Sequence, residues 1–177
     1  MRNRSMSERS GAYEKAISYA LRLLGFRMRT EKELRDRLIQ KGYHPEAEQV
    51  INRLKELGYL DDQAYVESYV RSRAKPAGRS RLKYELSQKK GIAKDIVEDT
   101  LDLHYTNEQE LAAAIQLSGK LWALAQKNSF RKTGELRGYE LTSFKKIASK
   151  LLARGFSYET VSMALRKIRS QLIEDEI

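Results

Sequence analysis

Two adjacent aspartates, Asp61 and Asp62, are the side chains whose type and spacing come nearest to a catalytic or metal site. They close the stretch LGYLDD (57–62). Paired carboxylates can hold a divalent metal or act as general acid and base, but that work requires them to converge from separate elements. Adjacent residues on one helical turn diverge, and aspartate at a helix start accepts hydrogen bonds from free backbone N–H groups and suits the helix dipole. We therefore predict that the two aspartates begin a helix, with a metal-dependent nuclease as the less favoured reading.

The sequence offers few other groups for catalysis. Its only histidines are His44 and His104, and it has no cysteine, which excludes disulfides, thiol nucleophiles and thiolate metal sites. It contains neither the GxxxxGK[ST] loop that cradles phosphates nor a GxSxG nucleophile turn. We predict a protein that is not an enzyme and that uses no metal or other cofactor.

Basic residues are the more promising functional groups. The 177 residues include 34 Lys and Arg against 24 Asp and Glu, a net charge of +10, and residues 71–94 hold nine basic residues and one acid. Such a field attracts polyanions, nucleic acid first, although each cation alone is more simply explained as a solvated side chain. The candidate binding residues fall in three regions of the chain: Arg27, Arg29, Arg35, Arg37 and Lys41; Arg71, Arg73, Lys75, Arg79, Arg81, Lys83 and Lys90; and Lys145, Lys146 and Lys150.

The middle region allows two further predictions. If its helix begins near Arg79, then Arg79, Lys83 and Lys90 lie within about 40° of one another at 100° per residue, on one face. Three tyrosines nearby could stack on nucleobases, although their helical positions favour packing in the core. They are Tyr65, Tyr69 and Tyr84.

The elements that position these residues follow from an internal repeat. The stretches ELRDRLIQKGY (33–43), ELSQKKGI (85–92) and IASKLLARGF (147–156) share apolar residues at helical spacing, then a basic residue, a glycine and an apolar residue. That order is typical of a helix that ends at a glycine in the left-handed conformation, here Gly42, Gly91 and Gly155. Gly58 has a structural role of the same kind, because it follows the third helix of the first repeat.

Each repeat is predicted to be a unit of three helices. With two prolines, ten glycines and no sustained apolar–polar alternation, the chain fits an all-α class. We predict a flexible tail at 1–12 and units at 13–59, 60–105 and 106–177, the last with a basic insertion near 126–140. Because one such unit buries little apolar surface alone, the units must pack on one another and give an elongated, curved modular body.

The location of the protein is also predicted from the sequence. No apolar run approaches the ~20 residues that span a bilayer. The start MRNRSMSERSG is not followed by the apolar stretch and cleavage site of a signal peptide. We expect a cytoplasmic monomer that does not bind membranes.

The sequence resembles the RecX family of bacterial regulators of the RecA recombinase. The similarity covers about residues 13–170 and includes YALRLLGFRMRTEKELRDRL (19–38), GYLDD (58–62), KKGI (89–92) and LLARGF (151–156), in the family's order. In one departure, ELSQKKGI has one residue more between leucine and glycine than is usual in the family. That addition leaves the register of Leu82 and Leu86 open.

The resemblance implies a function that composition alone does not. RecX-like proteins are all-α proteins of tandem three-helix units, not known as enzymes, that bind the groove of the RecA filament and reduce its ATPase and strand-exchange activities. Such a role belongs to DNA recombination, DNA repair and the SOS response, with weak binding to single- or double-stranded DNA alone. The alternative, which rests on charge, is a stand-alone basic DNA-binding protein with tight, salt-sensitive affinity for bare DNA.

Overall fold

The structure, a computed structural model, describes residues 6–73, 77–133 and 140–174, with side chains for residues 10–73, 77–128 and 143–171. The described part consists of helices and their connections, without a strand. None of its helices has the length and apolar character needed to cross a bilayer. In chain order the helices are α1 (Met6–Phe26), α2 (Glu31–Gln40), α3 (Ala47–Glu56), α4 (Asp62–Arg73), α5 (Arg79–Tyr84) with a π-helical turn (Glu85–Lys89), α6 (Lys94–His104), α7 (Asn107–Thr133), α8 (Glu140–Leu152) and α9 (Tyr158–Glu174).

Each group of three successive helices encloses a hydrophobic core of its own. The three cores draw their buried residues from positions 16–60, 65–105 and 113–164. The second helix of every unit contributes a pair of aliphatic side chains four residues apart, each worth about 1.5–3 kcal/mol when fully buried. These pairs are Leu34 with Leu38, Leu82 with Leu86, and Ile147 with Leu151. The predicted all-α fold of tandem three-helix units is confirmed.

Two helices extend beyond the predicted limits. Helix α1 begins at Met6, so it includes part of the stretch 1–12 that was predicted as a flexible tail, while residues 1–5 lie outside the described residues. Helix α7 continues to Thr133, so the predicted insertion near 126–140 is helical over its first half. The physical reason is the absence of glycine and proline between Gly119 and Gly134, which leaves nothing to end the helix within the first half of the insertion.

The π-helical turn accommodates the additional residue of the middle unit. The spacing from the second buried aliphatic residue to the cap glycine is four positions in the first and last units and five in the middle one. At the end of the turn, the N–H of Lys90 donates to the carbonyl of Glu85, five residues earlier, at 3.0 Å. A π-turn admits one extra residue into a helix. Leu82 and Leu86 therefore both stay buried, and their register is settled.

The cap glycines adopt the left-handed backbone conformation that the sequence predicts. The φ angles of Gly42, Gly91 and Gly155 are 95°, 72° and 82°. At the first of these caps the N–H of Tyr43 donates to the carbonyl of Leu38 at 2.9 Å, which satisfies a free carbonyl of the last helical turn.

The first and second units join where the start of α2 meets the end of the π-turn. The hydroxyl of Thr30 accepts a hydrogen bond from the N–H of Glu33 (3.2 Å) and donates one to the carbonyl of Lys90 (2.9 Å). The ammonium of Lys90 lies 2.6 Å from the carboxylate of Glu33. A Cβ on Gly91 would come within 2.2 Å of the side chain of Lys32, so this contact favours glycine.

The second and third units join in the same arrangement. The N–H of Gly78, the N-cap of α5, donates to the carbonyl of Arg154 (2.9 Å), and that of Ser80 donates to the carbonyl of Gly155 (3.2 Å). A Cβ on Gly78 would lie 2.2 Å from the backbone nitrogen of Phe156. In both joints the start of one unit's second helix contacts the end of the next unit's second helix. The second helices are therefore arranged end to end.

Candidate interface residues

Asp61 and Asp62 cap two different helices. Oδ1 of Asp61 accepts a hydrogen bond from the N–H of Ala64 in α4, at 3.0 Å. Oδ1 of Asp62 accepts one from the N–H of Glu31 in α2, also at 3.0 Å, and burial raises the pKa of this carboxyl against the effect of that hydrogen bond. The two carboxylates thus serve separate helix starts. Across the residues that the structure describes, no three His, Asp or Glu side chains are grouped to hold a metal ion.

Several candidate cations of the first unit are held by groups within that unit. Arg27 contacts the carboxylate of Glu33 at 3.1 Å. Arg35 binds Glu48 through two hydrogen bonds of 2.6 and 3.1 Å, a bidentate geometry. Nε of Arg29 donates to a backbone carbonyl at the end of α1 (3.2 Å), and burial, with the charge of Arg27, lowers its pKa. These arginines stabilise the unit.

The three middle-unit cations predicted on one face are held in two places, Arg79 and Lys83 at α6 and Lys90 at the joint with the first unit. Arg79 pairs with Asp102 and donates to the carbonyl of residue 105 at 2.9 Å. Lys83 lies 2.9 Å from Glu98, and Lys90 reaches across the joint to the first unit. Asp102 and Glu98 lie four residues apart on α6, so the prediction of a shared face holds for Arg79 and Lys83 and is wrong for Lys90. The physical reason for the difference is the π-turn between Lys83 and Lys90, through which 100° per residue does not hold.

The remaining candidates of the middle unit differ in their surroundings. Arg81 contacts Glu85 at 3.0 Å, and Glu85 also accepts a hydrogen bond from the hydroxyl of Tyr69 at 2.6 Å. Burial and this hydrogen bond raise the pKa of Tyr69 to about 12. The guanidinium of Arg73 lies over the ring of Tyr69, 5.9 Å from its centroid. Lys75 lies outside the described residues.

Other predicted cations are exposed and form no ion pair with any residue that the structure describes. They lie near the end of α2, near the end of α4 and along α8, so each unit contributes at least one group. These cations are Arg37, Lys41, Arg71, Arg73, Lys145, Lys146 and Lys150. Their charges are available to a partner without the loss of an internal ion pair.

Tyr84 is an exposed aromatic residue, contrary to the expectation that it packs in the core. Its side chain is 58% exposed, whereas Tyr65 is buried at 8%. The ammonium of Lys89 lies over the Tyr84 ring, 5.9 Å from its centroid. The repeat contains a signal for this exposure, because Tyr84 stands midway between two buried leucines, where the other units have Asp36 and Ser149.

Comparisons with known proteins agree with this architecture. The family model described as "RecX, first three-helix domain" matches residues 16–54, and "RecX, second three-helix domain" matches residues 61–101. A protein of Clostridium perfringens (strain SM101 / Type A) named regulatory protein RecX is 32% identical over 155 residues, which cover 87% of this chain and 68% of that protein. One of the same name from Prosthecochloris aestuarii is 32% identical over 157 residues, 87% of this chain and 93% of that protein. The crystal structure of RecX from Lactobacillus salivarius is similar with a TM-score of 0.75 and 30% identity, over 90% of this chain and 98% of that one.

Proposed function

The chain belongs to the RecX family, and on that premise we propose that it is a non-catalytic regulator that binds the RecA nucleoprotein filament and inhibits its ATPase and recombinase activities. The relatives named regulatory protein RecX support the regulatory role. On this proposal the protein acts in the cytoplasm as a monomer, in DNA recombination, DNA repair and the SOS response. The unit boundaries 13–59, 60–105 and 106–177 are part of the same proposal.

The distribution of unpaired cations is the observation that favours a polymeric partner. They occur on each of three units whose second helices are joined end to end, and they do not converge on one cavity. A small ligand requires a few converging polar groups in a concave site. A nucleoprotein filament instead offers acidic protein surface and phosphates along its length, and several weak contacts to it add through effective concentration.

The RecA ATPase on single-stranded DNA tests this function. Addition of the protein at a fraction of the RecA concentration should slow steady-state ATP hydrolysis, because a regulator of a filament acts on many RecA subunits at once. The same assay without RecA controls for any hydrolysis by the protein itself. An ATPase rate that stays constant up to equimolar protein would end the proposal.

The alternative function, a stand-alone DNA-binding protein, is favoured by one observation. The lysines of α8 are exposed and unpaired within the described residues, as phosphate contacts require. This alternative predicts tight binding to bare duplex DNA that falls steeply between 50 and 200 mM salt. The filament regulator predicts stronger binding to RecA-coated DNA than to the same DNA bare. Anisotropy titrations of one labelled oligonucleotide, with and without RecA, separate the two.

A further inference from the structure

A pocket lies beside the π-turn, between the second helix of the middle unit and α6. Its volume is about 280 Å³, near the lower limit of small-molecule sites. Tyr84, Ser87 and Gln88 line one side, and Lys94 and Glu98 from α6 line the other. The pocket thus combines an aromatic ring, polar groups able to form hydrogen bonds, and charge.

The aromatic wall of the pocket is accessible to a ligand. Tyr84 is 58% exposed, and the ammonium of Lys89 lies over its ring at 5.9 Å. An exposed ring beside a cation is the arrangement on which single-stranded nucleic acids stack a base, because every base presents a π-face and every nucleotide a phosphate. Ser87 and Gln88 add a hydroxyl and an amide at the edge of such a base.

The charge around the pocket is positive. Lys83 and Lys94 line it, with the acid Glu98 2.9 Å from Lys83, and Lys89 adjoins it near Glu85, which pairs with Arg81 at 3.0 Å. Lys89 and Lys94 are exposed and have no ion pair among the described residues. Two lysines are therefore free to neutralise one phosphate after the internal pairs are counted.

Internal comparison shows that this pocket is not a requirement of the three-helix fold. The first and last units close their second helices with one residue fewer, and they have polar residues where the middle unit has Tyr84. The middle unit alone combines the additional residue with the exposed ring. Single π-turns within α-helices are frequently found at functional sites.

We propose that this pocket binds one nucleotide of a single-stranded nucleic acid, with the base stacked on Tyr84 and the phosphate beside Lys89 and Lys94. The inference rests on the proposed function for its setting, since the RecA filament forms on single-stranded DNA. Its test uses DNA without RecA, so its failure and a failure of the ATPase prediction are distinguishable.

The test compares two oligonucleotides of equal charge, a labelled dT15 and an abasic 15-mer, by fluorescence anisotropy at low salt. The wild-type protein should bind dT15 about tenfold more tightly than the abasic strand, the difference expected from one base–aromatic stack. Tyr84→Ala should remove this preference and leave binding to the abasic strand unchanged. Tyr84→Phe, which keeps the ring, should retain it.

Two further variants separate the ring from the charge. Tyr158→Ala removes a tyrosine that is 79% exposed outside the pocket, and it should leave both affinities unchanged. Lys94→Gln should weaken binding to both strands equally and reduce the slope of log affinity against log salt by about one. Circular dichroism of each variant confirms that the helices persist.

Three results would overturn the proposal. They are equal binding of the two strands by the wild-type protein, a preference for dT15 that survives Tyr84→Ala, and no binding of either strand at low salt. If Tyr84→Ala weakens the inhibition of RecA but leaves oligonucleotide binding intact, the ring contacts protein and the nucleotide site is wrong.

Discussion

Gly42 and Gly155 hold the same backbone conformation in different surroundings. Their φ angles are 95° and 82°, both in the region that side chains disfavour. A Cβ on Gly42 would meet nothing within 4 Å, whereas one on Gly155 would lie 2.4 Å from the backbone nitrogen of Arg81. Gly42 is therefore required for its conformation alone, and Gly155 also for the space it leaves at a joint.

This difference gives a prediction for alanine substitutions. Gly42→Ala should lower the free energy of unfolding by about 1–2 kcal/mol, the cost of the left-handed conformation for a residue with a side chain. Gly155→Ala should lower it further, because the joint with α5 must open. Urea titration of both variants measures the two losses, and equal losses would contradict the close packing at Gly155.

Gly25→Ala provides the control for the glycine pair. Gly25 lies within α1, has no positive φ, and a Cβ there would meet nothing within 4 Å. Alanine is the better helix former by about 1 kcal/mol. This substitution should leave the stability unchanged or raise it.

The two aspartates show how far single residues could be predicted from sequence. The hydrogen bond of Asp61 closes within its own helix start, three residues away, so a local pattern is enough to predict it. Asp62 instead caps α2 through Glu31, which lies 31 residues earlier. No local pattern contains that partner, since it depends on how two units pack.

At the scale of elements, the π-turn gives a prediction for chain length. Deletion of Gln88 would shorten the spacing from Leu86 to the cap glycine Gly91 from five positions to four, the spacing found in the other two units. This variant should unfold cooperatively with a Tm near that of the wild-type protein, because Leu82 and Leu86 keep their register. Thermal melts followed by circular dichroism measure it.

Deletion of Gln40, the equivalent residue of α2, is the matched control. It would shorten the spacing from Leu38 to Gly42, which is already four positions, and so rotate Gly42 by about 100° from its cap position. The Tm should then fall by about 2–4 °C for each kcal/mol of stability lost. A larger loss for the Gln88 deletion than for the Gln40 deletion would mean that the π-turn is needed for folding.

The elements were predictable where the pattern is local. Apolar residues at helical spacing and cap glycines predict the second helices, because both signals lie within about ten residues. The start of α1 and the end of α7 were not predicted, since the polar residues there are typical of a tail or an insertion, although no proline interrupts either helix. The additional residue of the middle unit was visible in the sequence, but a loop, a bulge and a π-turn could each have absorbed it.

At the scale of the whole molecule, the surface on which a basic side chain lies depends on partners that are far away along the chain. Lys90 and Glu33 are 57 residues apart, and their ion pair joins two units. A helical wheel contains neither the joint nor the π-turn. For this reason the sequence identifies the basic residues of each unit, but it does not predict which of them lack an ion pair.

The same ion pair predicts a dependence of stability on pH. Burial favours the neutral carboxyl of Glu33, but the hydrogen bond and charge of Lys90, with the charge of Arg27, outweigh burial and lower its pKa. A lowered pKa contributes stability above the ordinary value of 4.5, and that contribution is lost as the pH falls through the folded-state value. The hydrogen bond to Glu33 raises the pKa of Lys90, whose contribution is therefore complete at neutral pH and is lost only in alkali.

Glu33→Gln should consequently lose less stability on acidification than the wild-type protein does. The free energy of unfolding from urea titrations at pH 7 and about pH 3.5 gives the comparison. Glu14→Gln, at an exposed position of α1 that takes part in neither joint, should keep the acid dependence of the wild-type protein. If Glu33→Gln loses as much as the wild-type protein, the ion pair does not stabilise the joint.

The unpaired lysines of α8 give the prediction that concerns the partner. Lys145→Glu, Lys146→Glu and Lys150→Glu together should raise the concentration needed for half-inhibition of the RecA ATPase by about tenfold, equivalent to ~1.4 kcal/mol. Because none of the three has an ion pair among the described residues, the Tm should be retained. The loss of inhibition should shrink as salt is raised, since exposed charges are screened.

A matched triple variant, Lys120→Glu, Lys167→Glu and Arg169→Glu, makes the same charge change on α7 and α9. If the α8 variant inhibits as well as this control, the contact with the filament lies on the first two units.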